Sequence, residues 1–451
     1  MNPVKIVIIA HNECKIVKLQ IEFLVKIVGL AKTDFIIVDN FSDDGLAQWL
    51  SEQQDIDYIV CDERVESYVD IINTVVGEFI RDEDVLVLSP GIFLLQGSIN
   101  ELSRILSLYD NAGIIYPYLL RYGETIDLCD VQTAIEEAKK DTQGREITQH
   151  IGTREDAFLV RNEVLKKMNG LDKTIKQPKN ILADLCLTLC EMGYACYEAN
   201  NAFGYRFLSV EDVYDQMYGE DIDRKRMKEK WGMNYFNETP NLCILSKIDE
   251  DKDKTLYVLE IGCDCGANLL WIKNRYPNAK LFGVEINPAV AKVANHFVNT
   301  KIGDIEEQNL NFGDVRFDYI IFGDVLEHLK NPAAAINYCK NILASEGKIL
   351  ASIPNLMHYT VLQKLLNGYF TYSDTGLLDR THIHFFTYYE VLRMFESEGY
   401  KIVELQYNHV EQCTEEEDKF IDNLLKMSNN TEKFMFLAFQ YIVTAQPVRD
   451  V

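Results

Sequence analysis

Residues 258–266 constrain the fold of this chain more than any other segment. They read Val-Leu-Glu-Ile-Gly-Cys-Asp-Cys-Gly, which is an apolar strand followed by a glycine-rich turn. Gly262 and Gly266 allow the backbone to turn sharply and to approach a ligand closely. The spacing Glu260-x-Gly262-x-x-x-Gly266 differs from the dinucleotide-binding pattern G-x-G-x-x-G. A turn of this kind after a strand predicts an α/β domain with a largely parallel sheet.

Apolar strands alternate with helical segments in two parts of the chain, residues 4–88 and residues 255–353. Such alternation predicts an α/β fold with two doubly wound domains, each a mostly parallel sheet covered by helices. The first helix is predicted from about Lys15 to Leu30. Two late apolar segments, residues 401–407 and 434–444, are predicted to form an antiparallel edge.

The domain boundaries follow from changes in composition along the chain. Residues 246–254 contain almost no apolar side chains, which is typical of an exposed linker. We therefore expect a first domain over residues 1–208, a helical connector and linker over residues 209–254, and a second domain over residues 255–451.

Composition excludes several classes of protein. Of the 451 residues, 47% are hydrophobic and 25% are charged, which argues against a wholly disordered chain. The formal net charge of -25 argues against binding of long nucleic acids, and against a cationic patch on this protein that would bind membranes. No apolar run approaches the roughly 20 residues that span a bilayer, so no transmembrane segment is predicted. Eleven cysteines without framework spacing and no secretion signal predict a cytoplasmic protein with reduced thiols.

Acidic residues lie at two strand ends and in one loop of the second domain. Glu285 ends the strand after the glycine-rich turn, where a carboxylate can accept hydrogen bonds from both ribose hydroxyls. Asp304 and Ile305 stand where a third loop would reach an adenine edge. Residues 324–328, Asp-Val-Leu-Glu-His, lie past the carboxyl end of the strand predicted over residues 317–322, at the sheet end where ligands bind in open α/β folds.

These motifs together resemble the class I S-adenosylmethionine-dependent methyltransferases. The resemblance covers residues 255–444 and implies a Rossmann-like fold with S-adenosylmethionine as cofactor. Residues 352–355 and 376–387 resemble a subgroup that methylates small molecules and cell-surface glycans. The implied cofactor-binding residues are Glu260, Gly262, Asp264, Gly266, Glu285, Asp304, Ile305 and Asp324.

Methyl transfer from a sulfonium is an in-line displacement in which the cofactor carries the reactive group. An alcohol or ammonium acceptor must also lose a proton, and neutral imidazole is available for this near pH 7. His382 is the favoured base and His328 the second candidate, whereas His384 is expected to pack internally. Asp379 is expected to orient His382 or to hold an acceptor hydroxyl, and Arg380 to bind an anionic acceptor group.

No metal is expected, but one alternative stays open. Asp324, Glu327 and His328, together with His382 or His384, resemble the ligand sets of small-RNA 2′-O-methyltransferases. Mixed oxygen and nitrogen ligands suit Mg²⁺, Mn²⁺ or Zn²⁺. The acidic composition makes RNA a poor substrate in either case.

The N-terminal half resembles the GT-A glycosyltransferase family 2 over about residues 3–207. The resemblance rests on residues 4–13, 35–45, 152–161, 170–172 and 184–194, and it implies that Asp39 contacts a nucleotide base. Three features of that family are absent, and one of them is a late metal-binding histidine near residues 203–207. Ser-Pro-Gly follows the strand at residues 85–88, where a metal-binding acid pair is expected, and Leu182 stands where the family has its catalytic acid. We expect a degenerate domain, in which Asp184 is a buried helix cap or a displaced catalytic acid.

The function predicted from the sequence is methyl transfer to an oxygen or nitrogen atom of a glycan, an activated sugar or a glycan-linked group in surface glycan biosynthesis. The expected partners are a small-molecule or glycan acceptor and, on the N-terminal domain, a nucleotide-sugar or glycan. The main alternative is a bifunctional glycosyltransferase–methyltransferase, and a second is an S-adenosylmethionine-binding scaffold. Residues 356–375 are expected to form a lid over the acceptor.

Overall fold

The chain forms two compact units, Met1–Phe236 and Asn237–Val451. The computed structural model describes residues 2–65, 67–122, 128–142, 144–152, 157–207, 223–233, 236–408 and 413–449. The division between the units falls inside the expected connector, residues 209–254. Residues 208–222 of that region lie outside the described residues, as do residues 153–156 of the glycosyltransferase-like motif.

The N-terminal unit contains a nine-stranded mixed sheet in the order β3-β2-β1-β4-β8-β6-β9-β5, with β7 paired to β9. Its strands are β1 Val4–Ala10, β2 Phe35–Asp39, β3 Asp57–Val60, β4 Asp84–Leu88, β5 Ile92–Leu94, β6 Ala112–Tyr122, β7 Ile147–His150, β8 Ala157–Val160 and β9 Ala195–Phe207. The first four strands run parallel, as the alternation predicts. Strand β8 then pairs antiparallel with β4, so the second part of this sheet is mixed and not uniformly parallel.

Eight helices accompany this sheet among the described residues. They are α1 Cys14–Phe23, α2 Leu46–Ser51, α3 Tyr68–Phe79, α4 Ser98–Leu108, α5 Leu128–Asp141, α6 Asn162–Met168, α7 Pro178–Glu191 and α8 Arg224–Trp231. The helix predicted to reach Leu30 stops sooner. Helix α1 continues as a π-helical turn, Leu24–Val28, and Gly29 ends it at φ 88°. Only a residue that tolerates a left-handed backbone suits that position.

Within the N-terminal unit, helix α8 is joined to helix α7 by polar contacts of Asp184. The indole Nε1 of Trp231 donates to Asp184 Oδ1 at 2.8 Å, and Lys230 Nζ lies 2.6 Å from the same oxygen. Lys230 also donates to Asp172 at 2.8 Å. Asp184 lies in the middle of α7, so the expected helix cap was wrong. Asp184 therefore links α7 to α8 through its side-chain contacts.

The C-terminal unit contains a seven-stranded sheet in the order β12-β11-β10-β13-β14-β16-β15. Its strands are β10 Tyr257–Ile261, β11 Lys280–Glu285, β12 Asn299–Ile302, β13 Phe317–Gly323, β14 Leu343–Pro354, β15 Tyr400–Asn408 and β16 Gln440–Pro447. Strands β10 to β14 are parallel. The chain order reverses between β10 and β13, which opens a crevice at their carboxyl ends.

The last two strands form the antiparallel edge that the sequence predicts. Strand β16 pairs antiparallel with β14 on one side and with β15 on the other, so β15 alone forms the edge. Phe434, expected at the start of the last strand, belongs instead to a short helix over Lys433–Leu437. The insertion of β16 beside β14 brings Gln440 next to the crevice.

Eight helices belong to the described part of this unit. They are α9 Leu242–Leu245, α10 Ala267–Arg275, α11 Pro288–Ala294, α12 Pro332–Cys339, α13 Tyr359–Leu366, α14 Tyr388–Ser397, α15 Glu415–Met427 and α16 Lys433–Leu437. The core lies between them and the sheet, where Phe317, Phe322 and Phe395 are fully buried. Across the described residues, no helix is both long and apolar enough to cross a membrane.

Candidate active site

The glycine-rich turn connects β10 to α10 at the edge of the crevice. Gly262 has φ 67° and Gly266 has φ 89°, both in the left-handed region. A Cβ atom on Gly262 would lie 2.6 Å from Val325 Cγ2, which is closer than real side chains approach. The turn therefore needs glycine at position 262 for its backbone angle and for space.

Glu260 is the second-last residue of β10, just before this turn, and is 2% exposed. Its Oε1 accepts a hydrogen bond from Asn268 Nδ2 at 2.6 Å, whereas Oε2 is buried and accepts none from the described residues. Burial, with the nearby Asp264 and Glu285 carboxylates, raises the pKa of Glu260 to about 8. A buried oxygen without a partner costs about 1–3 kcal/mol. A ligand that donates a hydrogen bond here would recover that free energy.

Glu285, the acid expected to bind ribose, is the last residue of β11. Its Oε2 accepts from the Asp264 main-chain N–H at 3.0 Å, and its Oε1 accepts from the Asn287 N–H at 2.8 Å. A carboxylate has about four lone-pair sites, so two remain for hydroxyl donors. Asp264, at φ 48°, accepts from Asn237 Nδ2 at 3.0 Å, and burial raises the pKa of its carboxyl.

Asp304 and Ile305 follow β12 at the same end of the sheet. Asp304 Oδ1 accepts from the Glu306 N–H at 2.8 Å and begins a short 3₁₀ helix, Ile305–Glu307. The Ile305 side chain is buried in the hydrophobic core of the unit. Both residues therefore lie beside the crevice, and the Ile305 side chain packs in the hydrophobic core.

Asp324 follows β13 and is held by two residues that the sequence analysis did not assign to the site. Ser352 Oγ donates to Asp324 Oδ1 at 2.8 Å, and Gln440 Nε2 donates to the same oxygen at 2.6 Å. Asp324 has φ 55°, and its N–H donates to Ser352 Oγ at 3.0 Å. Ser352 belongs to a recognised motif, but no local pattern marks Gln440, because only the pairing of β16 with β14 places it there.

Glu327, His328 and His382 come together next to Asp324, and we call them the EHH cluster. One potential ligand atom from each lies within 4.8 Å of the others. His382 Nε2 is 3.9 Å from Glu327 Oε1, and the two imidazole rings are 4.8 Å apart between centroids. Burial, and then the nearby His328, lowers the pKa of His382. The His382 ring is therefore neutral near pH 7.

Glu327 is the most buried member of the EHH cluster, at 1% exposure. Neither carboxyl oxygen accepts a hydrogen bond from the described residues. Burial, and then the Asp324 carboxylate, raises the pKa of Glu327 well above its usual range. The Glu327 main-chain carbonyl accepts from the N–H groups of Ile383 and His384, both at 3.0 Å, which ties the loop carrying His382 to the end of β13.

The other residues expected on this loop have different partners. Asp379 Oδ1 accepts from Thr381 N at 2.8 Å and from Thr381 Oγ1 at 2.6 Å. Burial alone would raise the pKa of Asp379, but these hydrogen bonds outweigh it and lower the pKa. His382 Nδ1 is held by the Leu377 carbonyl at 3.3 Å, so Leu377 and not Asp379 orients the ring.

Arg380 and His384 point to other contacts. Arg380 forms a surface ion pair with Asp374 at 2.7 Å, with both side chains more than half exposed. His384 Nε2 lies 3.2 Å from the Lys330 carbonyl. Between His382 and His384, therefore, only His382 joins the EHH cluster.

Comparison with known proteins assigns the C-terminal unit to a type of domain. A family model described as a methyltransferase domain matches residues 227–405. The C-terminal unit is a class I methyltransferase domain. The protein is an S-adenosylmethionine-dependent methyltransferase, and the free Glu260 oxygen, the Gly262 turn and the remaining acceptor sites of Glu285 fit that cofactor.

An uncharacterized protein of Methanocaldococcus jannaschii is 22% identical over 336 residues, covering 69% of this methyltransferase and 86% of the relative. A methyltransferase from Archaeoglobus fulgidus is 16% identical, covers 52% of this chain and 99% of its own, and has a TM-score of 0.32. A possible histamine N-methyltransferase from Thermotoga maritima is also 16% identical, with coverage of 49% and 93% and a TM-score of 0.32.

Asp39 ends β2 in the N-terminal unit and is fully buried. Its Oδ1 accepts from the Ser42 N–H at 2.9 Å, whereas Oδ2 is buried and accepts no hydrogen bond from the described residues. Leu182 is buried within α7, so its side chain offers no acid there. These contacts leave Asp39 with one carboxyl oxygen for a donor from outside the chain.

Proposed function

We propose that this methyltransferase transfers a methyl group to an oxygen or nitrogen atom of a glycan, an activated sugar or a glycan-linked group in surface glycan biosynthesis. The observation that carries the proposal is the EHH cluster, which stands at the carboxyl end of β13, beside the cofactor-binding turn. Such an acceptor is a weak nucleophile until its proton leaves, and two imidazoles here are available to take that proton.

His382 is the better base of the two. Its lowered pKa keeps the ring unprotonated near pH 7, and its Nδ1 is fixed by the Leu377 carbonyl. His328 is exposed and its Nδ1 lies 3.1 Å from the Thr381 carbonyl, and it is the second candidate base. The methyl group leaves the sulfonium sulfur as the acceptor atom bonds to it, and S-adenosylhomocysteine is released.

An aromatic surface beside the EHH cluster supports a glycan or another small ringed acceptor. Phe370 and Tyr372 lie 5.6 Å apart between ring centroids, and Phe370 is 5.9 Å from Phe385. Phe385 in turn is 6.3 Å from the His382 ring. Phe370 and Tyr372 are exposed, at 41% and 48%. Their faces would pack against the apolar face of a sugar while its hydroxyls stay hydrogen-bonded.

The test compares His382→Ala with His384→Ala in a methyl-transfer assay that measures S-adenosylhomocysteine formation with candidate glycans and nucleotide-sugars. We expect His382→Ala to lose well over tenfold in turnover, since general bases contribute about 10²–10⁴-fold. His384→Ala changes the same loop outside the EHH cluster and should keep turnover within about threefold. Both variants should bind S-adenosylhomocysteine normally by calorimetry. Near-normal turnover in His382→Ala would refute the assignment.

A second activity is proposed for the N-terminal unit, which we infer binds a nucleotide-sugar or glycan in a GT-A-like fold. The free, buried Oδ2 of Asp39 favours this, because a nucleotide base offers N–H donors to such an oxygen. Ser89-Pro-Gly91 follows β4 without a carboxylate, so the usual metal-binding acid pair is missing. Binding without glycosyl transfer is therefore the form we propose, and retained transfer is the alternative.

A further inference from the structure

A series of side-chain hydrogen bonds joins the last two strands to the cofactor crevice. It runs from Asn408 on β15 through Gln440 on β16 to Asp324 at the end of β13. We propose that Gln440, oriented by Asn408, is a positioning residue that fixes the Asp324 carboxylate to bind the amino-acid end of S-adenosylmethionine. The proposal rests on Asp324 as a cofactor-binding residue and not on which acceptor is methylated.

The direction of each hydrogen bond in this series is fixed by its two ends. The Gln440 main-chain N–H can only donate, and it donates to Asn408 Oδ1 at 2.7 Å. The Asn408 atom that lies 2.8 Å from Gln440 Oε1 is therefore the amide Nδ2, which donates. That contact leaves Gln440 Nε2 to donate to Asp324 Oδ1 at 2.6 Å, and an ionised carboxylate can only accept. Asn408 thus determines which end of the Gln440 carboxamide faces Asp324.

Asp324 needs such support because its backbone lies in the left-handed region, at φ 55°. Residues other than glycine seldom adopt that conformation, and it persists where surrounding contacts hold it. Gln440 Nε2 and Ser352 Oγ both donate to Asp324 Oδ1, whereas Oδ2 accepts no hydrogen bond from the residues that the structure describes. Asp324 is exposed, so this second oxygen can reach a ligand in the crevice.

The order of the strands indicates which part of the cofactor lies near Asp324. Glu285 ends β11, and Asp324 follows β13 on the other side of β10. The Gly262 turn lies between them, since a Cβ atom on Gly262 would meet Val325. With adenine at Asp304 and ribose at Glu285, the amino-acid end of S-adenosylmethionine extends across this turn toward Asp324. That end carries an ammonium group, and a carboxylate oxygen without another donor suits an ammonium.

Calorimetry of the full-length protein with two cofactor-related ligands tests the proposal. S-adenosylhomocysteine keeps the amino-acid end, whereas 5′-methylthioadenosine has the same adenosine and sulfur without it. Gln440→Leu should weaken S-adenosylhomocysteine binding at least about tenfold, because a hydrogen bond to a charged group is lost. Binding of 5′-methylthioadenosine should stay within about threefold, as for a substitution that does not touch the ligand.

Gln446→Leu is the matched control for this substitution. Gln446 lies near the other end of β16, is also partly buried, and donates to the Glu346 carboxylate at 3.1 Å. Its replacement therefore removes the same kind of hydrogen bond from the same strand. This variant should bind both ligands like the parent protein.

Asn408→Asp tests whether Asn408 acts through the Gln440 carboxamide. The new carboxylate would accept from Gln440 Nε2, which turns the carboxamide and points Oε1 at Asp324. S-adenosylhomocysteine binding should again weaken at least about tenfold. In the Gln440→Leu background the same Asn408→Asp change should have no further effect, because the carboxamide that it turns is already gone. A purely structural role would instead give additive losses and would weaken binding of both ligands.

Unchanged S-adenosylhomocysteine binding by Gln440→Leu, or by Asp324→Asn, would overturn the proposal. Equal weakening of both ligands, or additive losses in the double variant, would overturn it as well. Gln440 and Asn408 are only partly buried, and 5′-methylthioadenosine binding shows that each variant is folded. A selective and non-additive loss of S-adenosylhomocysteine binding supports the proposal whatever acceptor the enzyme methylates.

Discussion

Replacing Gly262 by alanine tests how the cofactor turn is built. At φ 67° a Cβ atom costs about 1–2 kcal/mol from backbone strain alone. The same Cβ would lie 2.6 Å from Val325 Cγ2, and such overpacking costs a further 1–3 kcal/mol or so. We therefore expect Gly262→Ala to destabilise β10 and its neighbours by about 2–5 kcal/mol in total. Displacement of Val325, next to Asp324, should also weaken S-adenosylhomocysteine binding more than tenfold.

Gly313 provides the matched control. It has φ 63°, and nothing lies within 4 Å of a Cβ added there, so Gly313→Ala should cost only the strain of about 1–2 kcal/mol. Hydrogen exchange of the β10 and β11 amides reports local stability in this unit, and calorimetry reports cofactor affinity. The double variant Gly262→Ala/Val325→Ala leaves Val325 Cβ at an ordinary 3.8 Å and should recover about 1–3 kcal/mol of coupling. Equal effects of both glycine substitutions, or no recovery in the double variant, would refute the reasoning.

Two further predictions concern protonation and the N-terminal unit. Because the pKa of His382 lies below its ordinary value of 6.5, methyl transfer should fall only below that pH, and a kcat/KM profile with a midpoint above 6.5 would contradict it. Asp39→Asn should weaken binding of UDP-, GDP- or CDP-sugars in calorimetry by at least about tenfold, since a carboxylate acceptor is lost. Asp57→Asn, at an exposed carboxylate on the edge strand, should bind as the parent protein does, and absence of binding by the parent protein itself would count against the nucleotide-sugar site.

Much of the C-terminal fold was predictable because its determinants are local. Strands β10, β11, β13 and β14 contain apolar runs separated by helical periodicity, and such patterns specify secondary structure directly, whereas the polar strand β12 was not predicted. The position of Gly262 also follows from the chain, because a strand that turns at once into a helix needs a left-handed residue. The order of the last two strands was harder to predict, because the position of β16 in the sheet depends on its pairing with β14 and not on its own residues.

Like the fold, the candidate site has one part that the sequence predicts and another that depends on the tertiary structure. Glu260 and Glu285 lie at the carboxyl ends of strands, and Asp304 and Asp324 follow strands. Parallel strands bring their carboxyl ends to one edge of the sheet, so the neighbourhood of these residues was predictable. Their hydrogen bonds were not. Gln440 reaches Asp324 only through the sheet, and His382 is oriented by Leu377, although Asp379 was the expected partner.

The sequence by itself determined the α/β class, the cofactor turn and the set of acids and histidines from which a site can be built, because these depend on residue type and spacing along the chain. Only the tertiary structure decided which of them meet. His382 joins Glu327 and His384 does not, because two main-chain hydrogen bonds to the Glu327 carbonyl fix that loop. The structure also decided that the buried Glu327 carboxyl accepts no hydrogen bond from the described residues, a property of packing between distant segments that no local pattern carries.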